Sequence, residues 1–525
     1  MNALNTAVST NSPTPSPRPY LPGVNVAGYV SSEFGLGEAV RTTIRAIEAV
    51  EIPVAINNFE FNPHRKQDAT YRDRFSSDNP YPVNIIQVNV DAVDVLLKQV
   101  DPSYFQNRYN IGIWVWELPE FPEHWRPLFG IFHEIWVPSH YALEAIAAVS
   151  PIPVMRLPHS IQLATPQATR ADLEIPAETF VFLFMFDFCS VYERKNPEAV
   201  IQAFHQAFGD APENVQLIIK SSNGEHYPQE RQRLQEAAQG CAGIRFIDGY
   251  LLRDQLDGLL YHCDCYVSLH RSEGFGLTMA EAMFYGKPVI ATAHSANTEY
   301  MNVGNSLLVP YELQTLTEDY GPYRAGNRWA EPDVAEAARW MRWVYEERDR
   351  AQALGDRAAQ DIRQQLSPQA VGQIVQQRLQ AIQHFTGQFS SLTPTAFLHT
   401  QVTHARMRYM DLQVQMSGAH QDLLRLQAEK RDLEALVQHH QRDAASYQQG
   451  YEEYRQAYEK AAQDSAEYRK AYEEYRQAYQ ETAARCEEQR QQTIQAEQAL
   501  HALQLPQARS PLQKIRDRLR RLRKQ

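Results

Sequence analysis

At 525 residues the chain is too long for one hydrophobic core, and its length alone suggests about three domains. Its net charge of -12 excludes a nucleic-acid binder recruited by bulk electrostatics, and its apolar content is that of an ordinary soluble protein. No run approaches the roughly 18 apolar residues of a membrane span. The five cysteines are odd in number and lack zinc-ligand spacing, which fits a reducing cytoplasm. Cys263 and Cys265, inside YHCDCYVSLH, read as small core residues rather than metal ligands.

In chain order, residues 1–20 are dominated by Ser, Thr and Pro and lack a basic start followed by an apolar run. They predict a disordered tail rather than a secretory leader. Short apolar runs then predict strands at Val24–Ala27, Val54–Asn57, Asn84–Val88, Asn110–Trp116, Glu134–Pro138 and Val154–Leu157. A second series follows at Phe180–Phe186, Val215–Lys220, Ile244–Ile247, Cys265–Leu269, Pro288–Thr292 and Ser306–Pro310. Amphipathic stretches such as Gly37–Ala49, Pro197–Phe208 and Arg253–His262 predict helices between them. Such alternation predicts an α/β chain with two Rossmann-like, doubly wound domains, at 21–165 and 166–385.

The composition changes after Phe385. A polar linker covers 386–404, and from 405 to 504 apolar residues recur at steps of four and three, from Leu412 and Met416 through Tyr447, Tyr451, Tyr454 and Tyr458 to Leu500 and Leu503. This period of 3.5 predicts a coiled coil and hence a partner helix, most simply in a homo-oligomer. The octapeptide YEEYRQAY occurs at Tyr451 and again at Tyr472, three heptads on, so the repeat keeps register. At 505–525, Leu512, Ile515, Leu519 and Leu522 share one helical face and basic residues crowd the rest. Two readings stay open there: a helix lying on an anionic membrane surface, and a solvated tail.

Four motifs carry chemistry. In SLHRSEGFGLTMAEAMFYGKPVIAT (Ser268–Thr292) a strand ends near Leu269, Glu273, Gly274 and Gly276 occupy a loop, and a helix runs from about Leu277 to Tyr285. Glycines ahead of a helix let backbone approach a ligand, and the amides of Phe275, Gly276 and Leu277 are then candidates to cradle phosphate or sugar oxygens. Glu273 and Glu281 can point into one cleft, and a carboxylate there accepts from paired sugar hydroxyls. In FDFCSVYERKNPEAVIQAF (Phe186–Phe204) a strand leads to Arg194 and Lys195 ahead of a helix opened by Pro197, placing fixed cations where a diphosphate would need them. The stretch Asn25–Ile47 has the strand, loop, Gly35-Leu36-Gly37, helix order of a first βα turn. In NIGIWVWELPEFPEHW (Asn110–Trp125) a strand ends on Trp114, Trp116 and Glu117 before Pro119.

Taken together, Glu273, Glu281 and the GFGLTMAEAM between and after them resemble the signature of retaining glycosyltransferases of family 4, the group 1 glycosyl transferases, over about residues 21–385. The resemblance implies the GT-B fold, in which two Rossmann-like domains face a cleft. It implies transfer of a sugar from a nucleoside-diphosphate (NDP) sugar to an acceptor hydroxyl of a glycan, lipid-linked or other alcohol, with retention, in polysaccharide or glycoconjugate synthesis. The nucleotide sugar is a co-substrate, and no cofactor or metal is implied. By position Glu273 would contact the donor sugar and Glu281 the ribose. Lys195 would hold the diphosphate. Arg194 would stand in for an arginine that the family carries a few residues before that lysine, where this chain has Cys189 and Ser190. Gly274, Phe275, Gly276 and Leu277 would bind the donor, with Gly35, Leu36 and Gly37 across the cleft. His270 and Arg271 lie within reach of the sugar or diphosphate. Glu117 falls where many members carry a histidine near the anomeric carbon. The implied location is cytoplasmic, with peripheral contact at the inner face of the membrane if the basic tail binds lipid. Two alternatives are a nucleotide-sugar epimerase of the same fold and a non-catalytic sugar-binding scaffold whose working part is the coiled coil.

Overall fold

A computed structural model describes residues 23–386, together with scattered positions between 430 and 492. The first sheet is formed by β1 (Val24–Gly28), β2 (Val54–Asn58), β3 (Val83–Gln87), β4 (Tyr109–Ile113), β5 (Glu134–Val137) and β6 (Val154–Arg156). All its pairings are parallel, in the order β2-β1-β3-β4-β5-β6. Helices α1 (Gly35–Ala49), α2 (Val93–Gln99) and α3 (His140–Ala147) lie between these strands in the chain. A buried asparagine ladder crosses the sheet. The Asn25 amide donates to Asn84 at 2.9 Å, and Asn84 donates to Asn110 at 2.9 Å. A one-residue slip would leave these amides unpaired in the core, so the ladder pins the register.

The second sheet contains β7 (Phe180–Asp187), β8 (Val215–Ser222), β9 (Ile244–Asp248), β10 (Cys265–Ser268), β11 (Val289–Thr292) and β12 (Leu307–Val309). These strands are also parallel, in the order β12-β11-β10-β7-β8-β9. The sequence of β7 explains why both faces must be covered. Phe180, Phe182, Phe184 and Phe186 belong to one core cluster, while Val181, Leu183 and Met185 belong to another. A strand alternates its side chains between faces, so an uninterrupted apolar run needs helices on both sides. They are supplied by α4 (Tyr192–Lys195), α5 (Pro197–Phe208), α6 (Pro228–Ala237), α7 (Arg253–His262), α8 (Leu277–Phe284), α9 (Val334–Glu346) and α10 (Arg348–Gln365). Cys263 and Cys265 are buried, free and part of this packing, as their apolar surroundings predict.

Two features depart from the sequence expectation. An antiparallel hairpin, β13 (Tyr311–Thr315) with β14 (Arg328–Pro332), intervenes between β12 and α9. In addition, α11 (Pro368–Thr386), expected within a second domain ending at 385, packs into the first domain. Its Val371, Val375, Leu379 and Ile382 share a core with Val40, Ile44 and Ile47 of α1. Gly372 permits this crossing, because a Cβ there would lie 2.1 Å from the Ala46 carbonyl oxygen. Arg378 on α11 pairs with Glu134, which is wholly buried in the first sheet.

The described positions between 430 and 492 are α-helical. Most of the expected heptad seam at 405–504, the linker beyond Thr386, the N-terminal tail and the basic segment 505–525 lie outside the described residues. Among the described residues no helix is long and apolar enough to cross a membrane.

Candidate active site

Topology fixes where a ligand binds in a doubly wound sheet. In the second sheet the strand order reverses direction between β7 and β10, and such sheets bind ligands beyond the carboxyl ends of the strands flanking that point. The chain leaves β7 at Asp187 and reaches Arg194 and Lys195 on the single turn α4. It leaves β10 at Ser268 and enters the loop containing Glu273.

Backbone strain marks this region. Val191, just before α4, has φ +65°, which a β-branched residue rarely adopts. Asn196 follows α4 in the left-handed region and its amide donates to the Leu269 carbonyl at 3.1 Å, tying the two strand exits together. Ser295, at φ +71°, accepts from the Glu273 amide at 2.8 Å.

The loops bring four charged residues together. Lys195 Nζ lies 2.5 Å from Glu273 Oε1, and Arg194 Nη1 lies 3.3 Å from Glu273 Oε2. Arg194, 4% exposed, also donates to the Ser272 carbonyl at 2.7 Å and lies 3.9 Å from Glu117. Tyr323, from the loop of the β13–β14 hairpin, donates its hydroxyl to Glu117 at 2.9 Å. Burial alone would raise the Glu273 carboxyl, but Lys195 and Arg194 beside it hold it at about 2. Burial lowers the Lys195 ammonium, with Glu273 pulling it back up. The cluster therefore holds two cations and two carboxylates in a pocket largely closed to water, where charge interactions are strong.

The same loop is clamped between the domains. A Cβ on Gly274 would meet Val115 Cγ1 at 2.3 Å, so only glycine lets the loop approach the end of β4. Ser139 donates to the Gly274 carbonyl at 2.8 Å, and Tyr300 donates to the carbonyls of Phe275 and Gly276. Gly276 sits at φ +86° as the cap of α8, whose first turn returns from the amides of Met279 and Ala280 to its carbonyl. The amides of Phe275, Gly276 and Leu277 precede those bonds, as expected of donors at a helix start. The Phe275 ring is buried, edge-on to His159 at 4.7 Å.

Glu281, on α8, belongs to a second network. Its carboxylate accepts from Arg253 at 3.3 Å, and Arg253 also reaches Glu38 of α1 at 3.1 Å and Asp257 at 2.9 Å. Burial pushes the Glu281 carboxyl up to about 7, against Arg253 and with Glu38 and Asp257. Buried Tyr266 lies within electrostatic reach of both Glu273 and Glu281. The two glutamates are thus held by different cations, Glu273 by Lys195 and Arg194 and Glu281 by Arg253.

Other sequence candidates are placed differently. His270 is fully buried behind Glu273, with its ring nitrogens engaged by Ser268, the His294 carbonyl and Asn297. Arg271 turns to the hairpin, bonding Glu331 at 2.6 Å and the Glu193 carbonyl at 2.6 Å over the Trp329 ring. Both side chains support the loop through these contacts. Gly35 and Leu36 open α1. A Cβ on Gly37 would lie 2.0 Å from the Ser32 carbonyl oxygen, and the next residue, Glu38, faces Arg253. Trp114 and Trp116 are core residues. Sequence reasoning missed Arg253, Glu38 and Tyr323. Arg253 and Tyr323 lie in none of the motifs, Glu38 directly follows Gly37, and only their place in the fold gives all three a role.

Residues 167–361 match the family model of glycosyl transferases, group 1, so the second domain carries that family's sequence pattern over less than half of the chain. No curated protein matches the chain. Among solved structures, the HepE protein of Anabaena with UDP and glucose is similar at 14% identity and a TM-score of 0.47, over 69% of this chain and 100% of that one. A sucrose-phosphate synthase from Thermosynechococcus elongatus is similar at 15% identity and a TM-score of 0.49, over 69% of this chain and 98% of that one. A glycosyltransferase from Rickettsia africae is similar at 13% identity and a TM-score of 0.47, over 68% and 97% of the two chains.

Proposed function

We propose that the chain is a retaining glycosyltransferase that moves a sugar from an NDP-sugar donor to an acceptor hydroxyl without a catalytic metal. One observation carries the reading: Lys195, Arg194 and Glu273 converge at the carboxyl ends of β7 and β10, beside the start of α8. In this reading the departing diphosphate lies against Lys195 and the amides of Phe275, Gly276 and Leu277. Fixed cations and amides stabilise developing charge without reorganising. Glu273 takes the donor hydroxyls, and binding moves Lys195 from carboxylate toward phosphate. Glu281 receives the ribose, which must share or displace the Arg253 contact. Glu117, held by Tyr323 and Arg194, faces the developing positive charge on the sugar. The acceptor enters over the first domain. The leaving diphosphate takes the acceptor proton, so no protein base is required.

A helical segment beyond residue 404 would join copies of the chain, and the basic end would rest on an anionic surface. Ending the chain near Phe385 without changing the subunit number would exclude the first idea. Removing 511–525 without loss of vesicle binding would exclude the second.

The direct test incubates the purified full chain with a panel of NDP-sugars and simple acceptors and follows product by NMR. Transfer with the donor's anomeric configuration kept supports the proposal. Inversion, epimerised donor, or binding without turnover contradicts it.

A further inference from the structure

A group of side chains outside the Lys195–Glu273 cluster has the makings of a ligand site. His64 belongs to the first domain, beyond β2; in the second, Asp187 ends β7 and Cys189 follows it. One ring nitrogen of His64, one carboxylate oxygen of Asp187 and the Cys189 sulfur all lie within 4.8 Å of one another. His64 is 8% exposed, and its Nδ1 has no hydrogen-bond partner among the described residues. Asp187 Oδ2 is 3.9 Å away, too far for a hydrogen bond. A buried polar nitrogen without a partner is costly, and its orientation needs an explanation.

The surroundings hold the imidazole and the carboxylate in place, while Cys189 is exposed. The Phe34 ring stacks on the His64 imidazole with centroids 3.9 Å apart, and the His64 amide donates to Asn62 at 3.0 Å. Asp187 Oδ1 accepts from the Cys189 amide at 2.9 Å and from Asn223 at 2.8 Å, leaving Oδ2 turned to His64. Burial keeps the imidazole below its ordinary range, with Asp187 opposing and Lys66 reinforcing that shift. An imidazole, a carboxylate and a thiol thus lie around one point.

We propose that His64, Asp187 and Cys189 bind one borderline-soft divalent cation, zinc by the chemistry of the donors, which joins the first domain to the second. Nitrogen, oxygen and sulfur at bonds of about 2.0–2.3 Å suit zinc, and three protein ligands leave a fourth position for water. Tetrahedral ligands at those bond lengths stand about 3.3–3.8 Å apart, so the group closes around the ion by roughly an ångström. The thiol proton leaves as the metal binds. Lys66 and Lys220 work against a cation. The Lys66 ammonium is held by the carbonyls of Asn62 and His64, and that of Lys220 by the Ser221 carbonyl. The ion bridges domains and takes no part in sugar transfer, so the site stands whether or not the transferase reading holds.

The test titrates chelator-treated full-length protein with Co²⁺, read by absorption and calorimetry, then displaces it with Zn²⁺. The expected result is one Co²⁺ per chain with a thiolate charge-transfer band that Zn²⁺ removes. C189S should abolish the band, and C189S, H64Q and D187N should each weaken binding about tenfold or more. At one fixed Zn²⁺ concentration the melting temperature of the natural protein should rise more than that of H64Q. Absence of heat and band up to about 100 µM Co²⁺, well beyond the range of a specific three-ligand site, would overturn the proposal. So would a band that survives C189S, or binding indifferent to H64Q.

Discussion

Replacing Lys195 by methionine keeps the aliphatic stem and removes the charge 2.5 Å from Glu273. Removing one partner of a buried pair costs about 3–5 kcal/mol when the other charge is left alone. Here Arg194 remains 3.3 Å from the same carboxylate, so the expected loss is smaller, about 2 kcal/mol. For a domain of this size that corresponds to a fall of about 4–8 °C in melting temperature. Glu273→Gln removes the other partner, and the double variant closes a thermodynamic cycle. Residues in one ion-pair network should show a coupling of about 1–3 kcal/mol, so the double variant melts well above the sum of the two single losses. The pH dependence has a definite sign. Glu273 has a folded pKa lowered from 4.5 to about 2. Its charge therefore stabilises the fold above pH 4.5, and that contribution is lost as the pH falls from 4.5 toward 2. The gap between natural protein and Lys195→Met should accordingly shrink from pH 6 to pH 3. Strict additivity in the cycle, or a gap constant with pH, would refute the reasoning.

Three further outcomes are expected. Glu281 has a folded pKa raised from 4.5 to about 7, so the natural protein should lose up to about 3 kcal/mol as pH rises through that window, at about 1.4 kcal/mol per unit. Glu281→Gln should lack this loss, and parallel melting curves against pH for the two proteins would rule it out. Tyr323→Phe removes the 2.9 Å hydrogen bond to Glu117, so kcat for transfer should fall about tenfold with donor KM little changed, and an unaltered kcat would dismiss the positioning role. Gly372→Leu forces a side chain against the Ala46 carbonyl, so melting should drop by an amount equivalent to about 2 kcal/mol or more, and calorimetry showing no drop would mean that α11 does not pack as described.

The two six-stranded sheets were legible because buried parallel strands are nearly continuous apolar runs. Phe180–Phe186 and Val215–Lys220 announce themselves without any partner being known. The hairpin was not. Tyr311–Thr315 is exposed along its whole length, so no burial pattern distinguishes it from loop. The return of α11 was hidden for another reason: an amphipathic helix shows which face it buries, not which core receives it. Within the site, Glu273, Glu281 and Lys195 stood next to glycines, a helix start and strand ends, which carry local signals. Arg253 and Glu38 meet across 215 residues of sequence, and Tyr323 reaches Glu117 across 206, so only tertiary structure reveals either contact. His270 and Arg271 show the opposite case. Being near Glu273 in sequence placed their side chains behind it and beside the hairpin, because neighbouring residues in an extended segment point to opposite sides.

Lys195 is proposed to grip the diphosphate of a nucleotide sugar at the crossover of the second sheet. Calorimetric titration of the full chain and of Lys195→Ala with a panel of NDP-sugars and the matching nucleosides examines it directly. The account predicts saturable binding of at least one NDP-sugar, weakened by about two orders of magnitude in Lys195→Ala, while the bare nucleoside binds both proteins alike. Equal affinity of the two proteins for the same NDP-sugar would contradict it.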